Sequence, residues 1–208
     1  MLVREFLDTY FQSFDYAILK FMHEFAENGG MIMKPLLKFV DSVGNDKIVF
    51  IVVALVLLFA MKNKRYAYLV GFSYILCVVL NSIIIKEVVA RIRPYLTGVE
   101  EYKLWWEFAG KLRKGGFSFV SGHTLRSIAC LYCVYLENKN LQYLLFVIVF
   151  SVLTILSRIF FIVHYPSDCI FAIILGFIIA YGLYYLVQKL EDKLNFIAKK
   201  IFPFAFKP

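Results

Sequence analysis

Residues 66–85 run for 20 positions without a charge, and residues 48–61 for 14. About 20 apolar residues in a helix cross the hydrocarbon core of a bilayer. In lipid every backbone N–H and C=O must find a partner within the protein, so such stretches are helical. This requirement sets the expected fold class: an all-α, multi-pass transmembrane helix bundle. Further apolar stretches over 118–136, 141–163 and 167–188 bring the total to about five spans. The 48–61 stretch is short and borrows flanking residues. Composition agrees, with 61% of 208 residues hydrophobic against roughly 45–50% in soluble domains. Cys77, Cys130, Cys133 and Cys169 all fall within apolar segments. The Cys130–Cys133 pair lacks a second ligand pair, so it reads as buried small hydrophobes.

Ahead of the spans, Phe6, Leu7, Tyr10, Phe11, Phe14, Ile18, Phe21, Met22 and Phe25 recur at helical spacing. Asp8, Gln12, Asp15, Lys20 and Glu24 fall between them. The pattern predicts an amphipathic helix lying in the membrane interface, ended by Gly29-Gly30. A weaker amphipathic stretch follows over 31–43, and His23 is expected to be a solvated surface residue. The chain thus divides into interfacial helices over 1–44, a transmembrane domain over 45–190 and a basic tail over 191–208. Acids and bases run through the first 30 residues, so no cleavable signal is expected. The formal charge of +8 sits in loops between apolar runs. That placement points to a membrane surface and an anionic substrate, with no nucleic acid partner.

Parity gathers the unusual residues. Five spans put loops 86–117 and 164–167 on the side of the N-terminus, and loops 62–65 and 137–140 on the other. Lys86, Arg91 and Arg93 close span two on that first side, His123 opens span three there, and Arg158 and His164 close span four there. Charges at membrane depth are costly and usually functional. Three cations, Lys86, Arg93 and Arg158, around one pocket call for an anion of high charge. The backbone of Ser121-Gly122 lies where span three begins and offers N–H groups at a helix N-terminus. Two histidines supply a nucleophile and a proton donor. Asp168, four residues after His164, orients its ring. Pro166 breaks the helix between the two, so they are expected to meet across a turn. No metal-ligating cluster is visible, and no cofactor is expected.

These stretches resemble the type 2 phosphatidic acid phosphatase (PAP2) superfamily. The match comprises Lys86, six residues, Arg93-Pro94; Ser121-Gly122-His123; and Ser157-Arg158, five residues, His164, three residues, Asp168. The resemblance implies a membrane-bound lipid phosphatase acting without metal on a phosphorylated lipid. His164 would attack phosphorus to give a phosphohistidine, Asp168 would hold His164, and His123 would protonate the leaving group and then activate water. Lys86, Arg93, Arg158 and the Ser121-Gly122 backbone would hold the phosphoryl oxygens. The family usually has proline before Ser-Gly-His, where this chain has Val120, a change expected to loosen the phosphate-binding turn. Arg126, one turn after His123, either neutralises a further phosphate or snorkels to the interface.

Two other classes fit the residues alone. One is an impaired relative that binds lipid phosphates; the other is a membrane subunit that conducts anions past its buried cations. Phosphate release from a short-chain lipid phosphate in EDTA separates them from an enzyme. Asn81 and Ser82 read as interhelical hydrogen-bonding groups. Tyr102, Trp105 and Trp106 read as an anchor at headgroup level, and Tyr165 as packing. The cations of loop 62–65 and of the tail favour the cytoplasm; the seven Lys and Arg of 86–116 oppose them in a raw count but have a catalytic reason to be there, so the candidate site is expected on the extracytoplasmic face of the cell membrane. Nothing in the sequence specifies an oligomeric state.

Overall fold

The computed structural model describes residues 2–45, 47–60, 63–202 and 205. Met61, at the end of the first expected span, and most of the last six positions of the tail lie outside the described residues. The chain begins with α1 (Val3–Tyr10), α2 (Gln12–Glu27) and α3 (Lys34–Asn45), followed by α4 (Lys47–Ala60) and α5 (Arg65–Cys77). A π-helical stretch, Val78–Ile85, carries α5 into α6 (Lys86–Val89). Then come α7 (Glu100–Ala109), α8 (Gly122–Asn138), α9 (Leu141–Phe160) and α10 (Pro166–Ile201).

Among the described residues, three helical stretches are long and apolar enough to cross a membrane: Arg65–Leu96, Leu141–Phe160 and Pro166–Ile201. The other two expected spans correspond to α4 and α8, which have 14 and 17 residues. Both fall short of about 20. At 36 residues, α10 is about 54 Å long, so the fifth span and the start of the tail form one helix.

Two span boundaries differ from the expected ones. The 118–121 segment is not helical, and its donors serve neighbouring chain: Ser118 N–H donates to the Arg91 carbonyl at 2.8 Å, and Ser121 N–H to the Asp168 carbonyl at 3.2 Å. Helix α8 therefore starts at Gly122, not at 118. Helix α9 ends at Phe160, and Ile162 takes a left-handed φ of 53°. A β-branched residue there costs on the order of 1–3 kcal/mol. That turn carries the chain from α9 to His164.

The bundle is organised around α8, which packs on α5, α9 and α10. Small residues permit the approach. A Cβ added at Gly176 of α10 would lie 2.8 Å from Ile128 Cβ and Cγ2 of α8, and Ala129, Ala172 and Ala180 are fully buried. Close backbone approach substitutes here for the hydrophobic drive that lipid does not supply. At one end of the bundle Arg65 clamps α5 to Glu137 of α8 at 3.0 Å and Glu191 of α10 at 3.6 Å. The 137–140 turn closes with Lys139 left-handed at φ 56° and the Asn140 side chain accepting from Gln142 N–H.

The N-terminal helices are amphipathic, and their buried faces have a partner. They dock on the bundle, with α2 packing against α7, α9 and α10. Leu19, Met22 and Ala26 of α2 join a core with Phe160 and Phe161, while Phe14, Phe21 and Phe25 stay exposed. Tyr102, Trp105 and Trp106 are likewise buried in that core on α7, where an anchor would have exposed its rings. His23 is stacked on the Trp105 ring at 5.4 Å and paired with Glu27 at 3.2 Å, so it is half-buried packing and not a solvated side chain.

The α8–α10 contact yields a paired test. Gly176→Ala should lower thermal stability in detergent by about 1–3 kcal/mol, because the β-branched Ile128 cannot retreat. Gly71→Ala, whose new Cβ would meet only Ala54 at 3.6 Å, should leave the melting temperature nearly unchanged. Thermal melts of the two variants beside the parent check both.

Candidate active site

The candidate site forms at the end of the bundle where α6 and α9 finish and α8 and α10 begin. Lys86 opens α6. Ala90, left-handed at φ 50°, ends it and turns the chain so that Arg91 and Arg93 enter the interior. Both guanidiniums are buried.

Arg93 is held as a fork. Its Nε donates to the Gly116 carbonyl at 3.0 Å and its Nη2 to the Gly115 carbonyl at 2.9 Å. Its Nη1 donates to the Val163 carbonyl at 2.7 Å and meets His164 Nε2 at 3.2 Å. A guanidinium donates only, so His164 Nε2 is the unprotonated nitrogen and the ring proton is assigned to Nδ1. That Nδ1 faces Asp168 Oδ2 at 3.4 Å across the Tyr165-Pro166 turn, with Pro166 at the first position of α10. The two meet across a turn, as the proline implies. Burial first, then the cations Arg93, Lys86 and Arg158, hold the His164 imidazole well below the ordinary histidine range. It is therefore neutral near pH 7.

Asp168 is fixed in turn. It accepts from Tyr165 N–H at 3.0 Å and from Arg91 Nη1 at 2.8 Å, at the N-terminus of α10, where a carboxylate is favoured. Arg91 also donates to Ser167 Oγ at 2.8 Å, Asp15 Oδ2 at 2.8 Å and Asp8 Oδ1 at 2.9 Å. Its guanidinium lies 3.9 Å from the Tyr165 ring centre. Burial pushes the Asp15 carboxyl up, against bonds from Ser167 and Arg91 that pull it down.

Arg158 is differently placed. Its Nη2 donates to Asp41 and to Ser157 Oγ, while its buried Nε and Nη1 have no hydrogen-bond partner among the described residues. His123, in the first turn of α8, also has its buried Nε2 without one. Asp41 Oδ1 stands 3.7 Å from that nitrogen and 2.8 Å from Lys114 Nζ. Unmet donors on Arg158 and the unpartnered Nε2 of His123, beside Lys114 and Arg93, make a cage fit for a tetrahedral oxyanion. Among the described residues, no three His, Cys, Asp or Glu side chains converge on a metal position; guanidinium and ammonium groups supply the positive charge.

The fingerprint of Lys86–Arg93-Pro94, Ser121-Gly122-His123 and Ser157-Arg158–His164–Asp168 is thus gathered in space at one end of the bundle. The chain belongs to the PAP2 superfamily. Its sequence matches that superfamily over residues 64–192. It is similar to phosphatidylglycerophosphatase B of Bacillus subtilis (strain 168), 29% identical over 127 residues. That alignment covers 56% of this chain and 54% of the relative, so the chain spans about half the length of the curated relative it matches. In fold it is similar to the crystal structure of a transmembrane PAP2-type phosphatidylglycerolphosphate phosphatase from Bacillus subtilis. The TM-score is 0.65 at 21% identity, over 91% of this chain and 90% of that one.

Within the PAP2 fingerprint one position behaves differently from expectation. Ser121 does not offer its amide to an anion: the N–H goes to the Asp168 carbonyl, and the hydroxyl pairs with Thr124 Oγ1 at 3.0 Å. Gly122 has a steric reason to be glycine, since an added Cβ would lie 2.9 Å from Asn81 Nδ2 and 3.4 Å from Arg126 Nη1. Arg126 thus sits beside the start of α8. Val120 is buried among Leu7, Cys77 and Leu125, and its carbonyl accepts from Asn81 Nδ2 at 3.3 Å. Asn81 therefore bonds from the π-helical stretch to the segment before α8 and not to another helix, and Ser82 is exposed.

Asp41, Asp15, Arg91 and Lys114 were not among the expected site residues. Helical arithmetic carried part of the signal. Asp41 follows Leu37 by four and Val40 by one, and all three are buried; Asp15 precedes Leu19, Met22 and Ala26 by four, seven and eleven. An acid on the buried face of an amphipathic helix needs a cation across from it.

Among the described residues, Asp41 is the only carboxylate paired with Arg158. Asp41→Asn should therefore leave a buried guanidinium uncompensated, at about 3–5 kcal/mol, and lower the melting temperature. Orthophosphate should raise that temperature more in the variant than in the parent. Melts over a phosphate titration check it.

Proposed function

We propose that this protein hydrolyses a phosphate monoester or diphosphate on a membrane lipid, through a phosphohistidine and without a metal. One observation carries the reading: the neutral His164 ring meets Arg93 at Nε2 and faces the buried Asp168 from Nδ1, 3.4 Å away, beside a cage of unmet donors. The names of the relatives, which specify phosphatidylglycerophosphate hydrolysis, support a lipid substrate.

In this mechanism the substrate phosphoryl oxygens take up the free donors of Arg158 and draw Arg93 Nη1 from His164. The Nε2 lone pair attacks phosphorus, the bond from phosphorus to the lipid oxygen breaks, and His123 gives that oxygen its proton. His123 then takes a proton from water, the oxygen of that water attacks phosphorus, and the P–N bond breaks. Orthophosphate leaves and both histidines return to their starting state. Asp168 stabilises the positive charge on the His164 ring while the P–N bond exists. Lys86, Arg93, Arg158 and the Gly122 end of α8 face charge that moves between phosphoryl oxygens, where preorganised donors give most of their effect. Asp41 positions His123 and Arg158 and supplies the counter-charge when the cage is empty.

Purified full-length protein should release orthophosphate from a short-chain lipid phosphate, with activity surviving exhaustive chelation. His164→Ala should abolish release at an unchanged melting temperature. Substantial turnover by that variant, or activity lost to EDTA and restored by magnesium, would overturn the reading.

The site faces the extracytoplasmic side in this reading, because the cations at 62–65 and along the end of α10 favour the cytoplasm. Single cysteines in 95–117 and in 137–140, on a background without the four native cysteines, should label from opposite sides of sealed cells, the first from outside. Labelling of both from one side would refute the arrangement.

A further inference from the structure

Two buried acids of the N-terminal helices meet the cations of the site in different ways. Asp15 accepts from Ser167 N–H at 2.8 Å, from Ser167 Oγ at 2.6 Å and from Arg91 at 2.8 Å, so backbone and side chains together hold it. Asp41, 5% exposed, has only side chains of the cage as partners among the described residues. Arg158 Nη2 and Lys114 Nζ both donate to its Oδ1, the lysine at 2.8 Å. His123 Nε2 stands 3.7 Å from the same oxygen. One carboxylate oxygen thus lies where groups assigned to the substrate converge.

The fit is incomplete. A carboxylate matched to an arginine takes two parallel N–H bonds. Asp41 takes one, and gives its Oδ2 to Lys114 at 3.0 Å. Arg158 Nε and Nη1 and His123 Nε2 stay without a hydrogen bond among the described residues. A phosphate monoester brings more oxygens and more charge than a carboxylate, so it satisfies donors that Asp41 leaves unmet. Helix α3 carries Asp41 from outside the cage: Leu37 and Val40 are buried, and the Leu37 carbonyl accepts from Ser157 Oγ at 3.0 Å.

We propose that Asp41 is the resident anion of the phosphate cage and sets its affinity threshold: a lipid phosphate enters only by displacing it. The inference deepens the phosphatase reading and rests on its placement of the substrate phosphate in this cage. Displacement weakens every anion by one common factor, the fraction of molecules in which Asp41 has left. A monoester dianion binds strongly enough to bear that factor. A monoanionic phosphodiester, the group that surrounds the site in a phospholipid bilayer, does not. Asp41 therefore determines specificity without touching the bound substrate.

The test measures equilibrium binding of orthophosphate and of short-chain phosphatidylmethanol, a monoanionic lipid phosphodiester, to full-length protein in neutral detergent. Asp41→Asn should lower Kd for both by the same factor, about tenfold if a tenth of the parent molecules are open. A gain confined to orthophosphate would mean that the carboxylate stays in the cage beside the anion. No gain for either would mean that Asp41 only positions its neighbours. Both results overturn the proposal. A second measurement does not need the asparagine variant to fold. In parent protein carrying ¹³C-labelled aspartate, orthophosphate should produce an infrared difference band from a carboxylate that changes partners. The band should vanish in Asp41→Glu, which keeps the charge and loses the label. A silent spectrum, or a band that persists in the glutamate variant, overturns displacement. Turnover of short-chain phosphatidic acid keeps the two readings apart. Equal gains in binding without turnover in the parent defeat the phosphatase reading and leave the resident anion standing; turnover without those gains does the reverse.

Discussion

A guanidinium withdrawn from water must be matched by acceptors, and Arg91 is where this molecule meets that demand. It is 2% exposed and is surrounded by Asp8, Asp15, Asp168, Ser167 and the face of Tyr165. Loss of one partner from such a cluster leaves a buried charge, at roughly 3–5 kcal/mol. The three acids come from α1, α2 and α10, and the arginine from the turn after α6. One side chain therefore decides where the N-terminal helices dock and how the first turn of α10 sits. Because Asp168 is a member, the same interaction sets the carboxylate that faces His164.

The two arginines nearest His164 are used in opposite ways. Arg93 spends its donors on the carbonyls of Gly115, Gly116 and Val163, which makes it a fixed post with one edge toward His164. Arg158 keeps two buried nitrogens unmet and relies on Asp41 for charge balance. A buried cation of this second kind favours an incoming anion, since that anion supplies hydrogen bonds the protein leaves unmade. Lys114, half-buried and paired with the same Asp41, adds a second cation to that acid.

How much of this was legible in the chain differs from element to element. The spans beginning at 66, 141 and 167 were legible because lipid permits one backbone solution for long uncharged runs. The proximity of Lys86, His123, Arg158 and His164 followed from counting crossings. The start of α8 was not legible: 118–121 is as apolar as a helix, yet its amides bond to Arg91 and Asp168 carbonyls that are distant in sequence. Tyr102, Trp105 and Trp106 have the composition of an interfacial belt, and only the docking of α2 and α9 over them makes them core. The roles of Asp15 and Asp41 were half-legible, since their spacing put them on buried faces but could not name their partners.

The sequence by itself determined that the chain is a membrane helix bundle, which residues carry the PAP2 fingerprint, and the end of the bundle to which they belong. Hydrophobic runs and fixed-spacing motifs are local, and crossing a bilayer imposes an alternation that counting can follow. Only the tertiary structure decided which acid answers which cation: Asp168 and Asp15 to Arg91, and Asp41 to Arg158 and Lys114. It also decided that Ser121 turns its amide inward while Gly122 is closely approached by Asn81. Those choices depend on separations of a few ångströms between segments up to 152 residues apart, and the energy of a buried charge is set at that range, where no pattern along the chain records it.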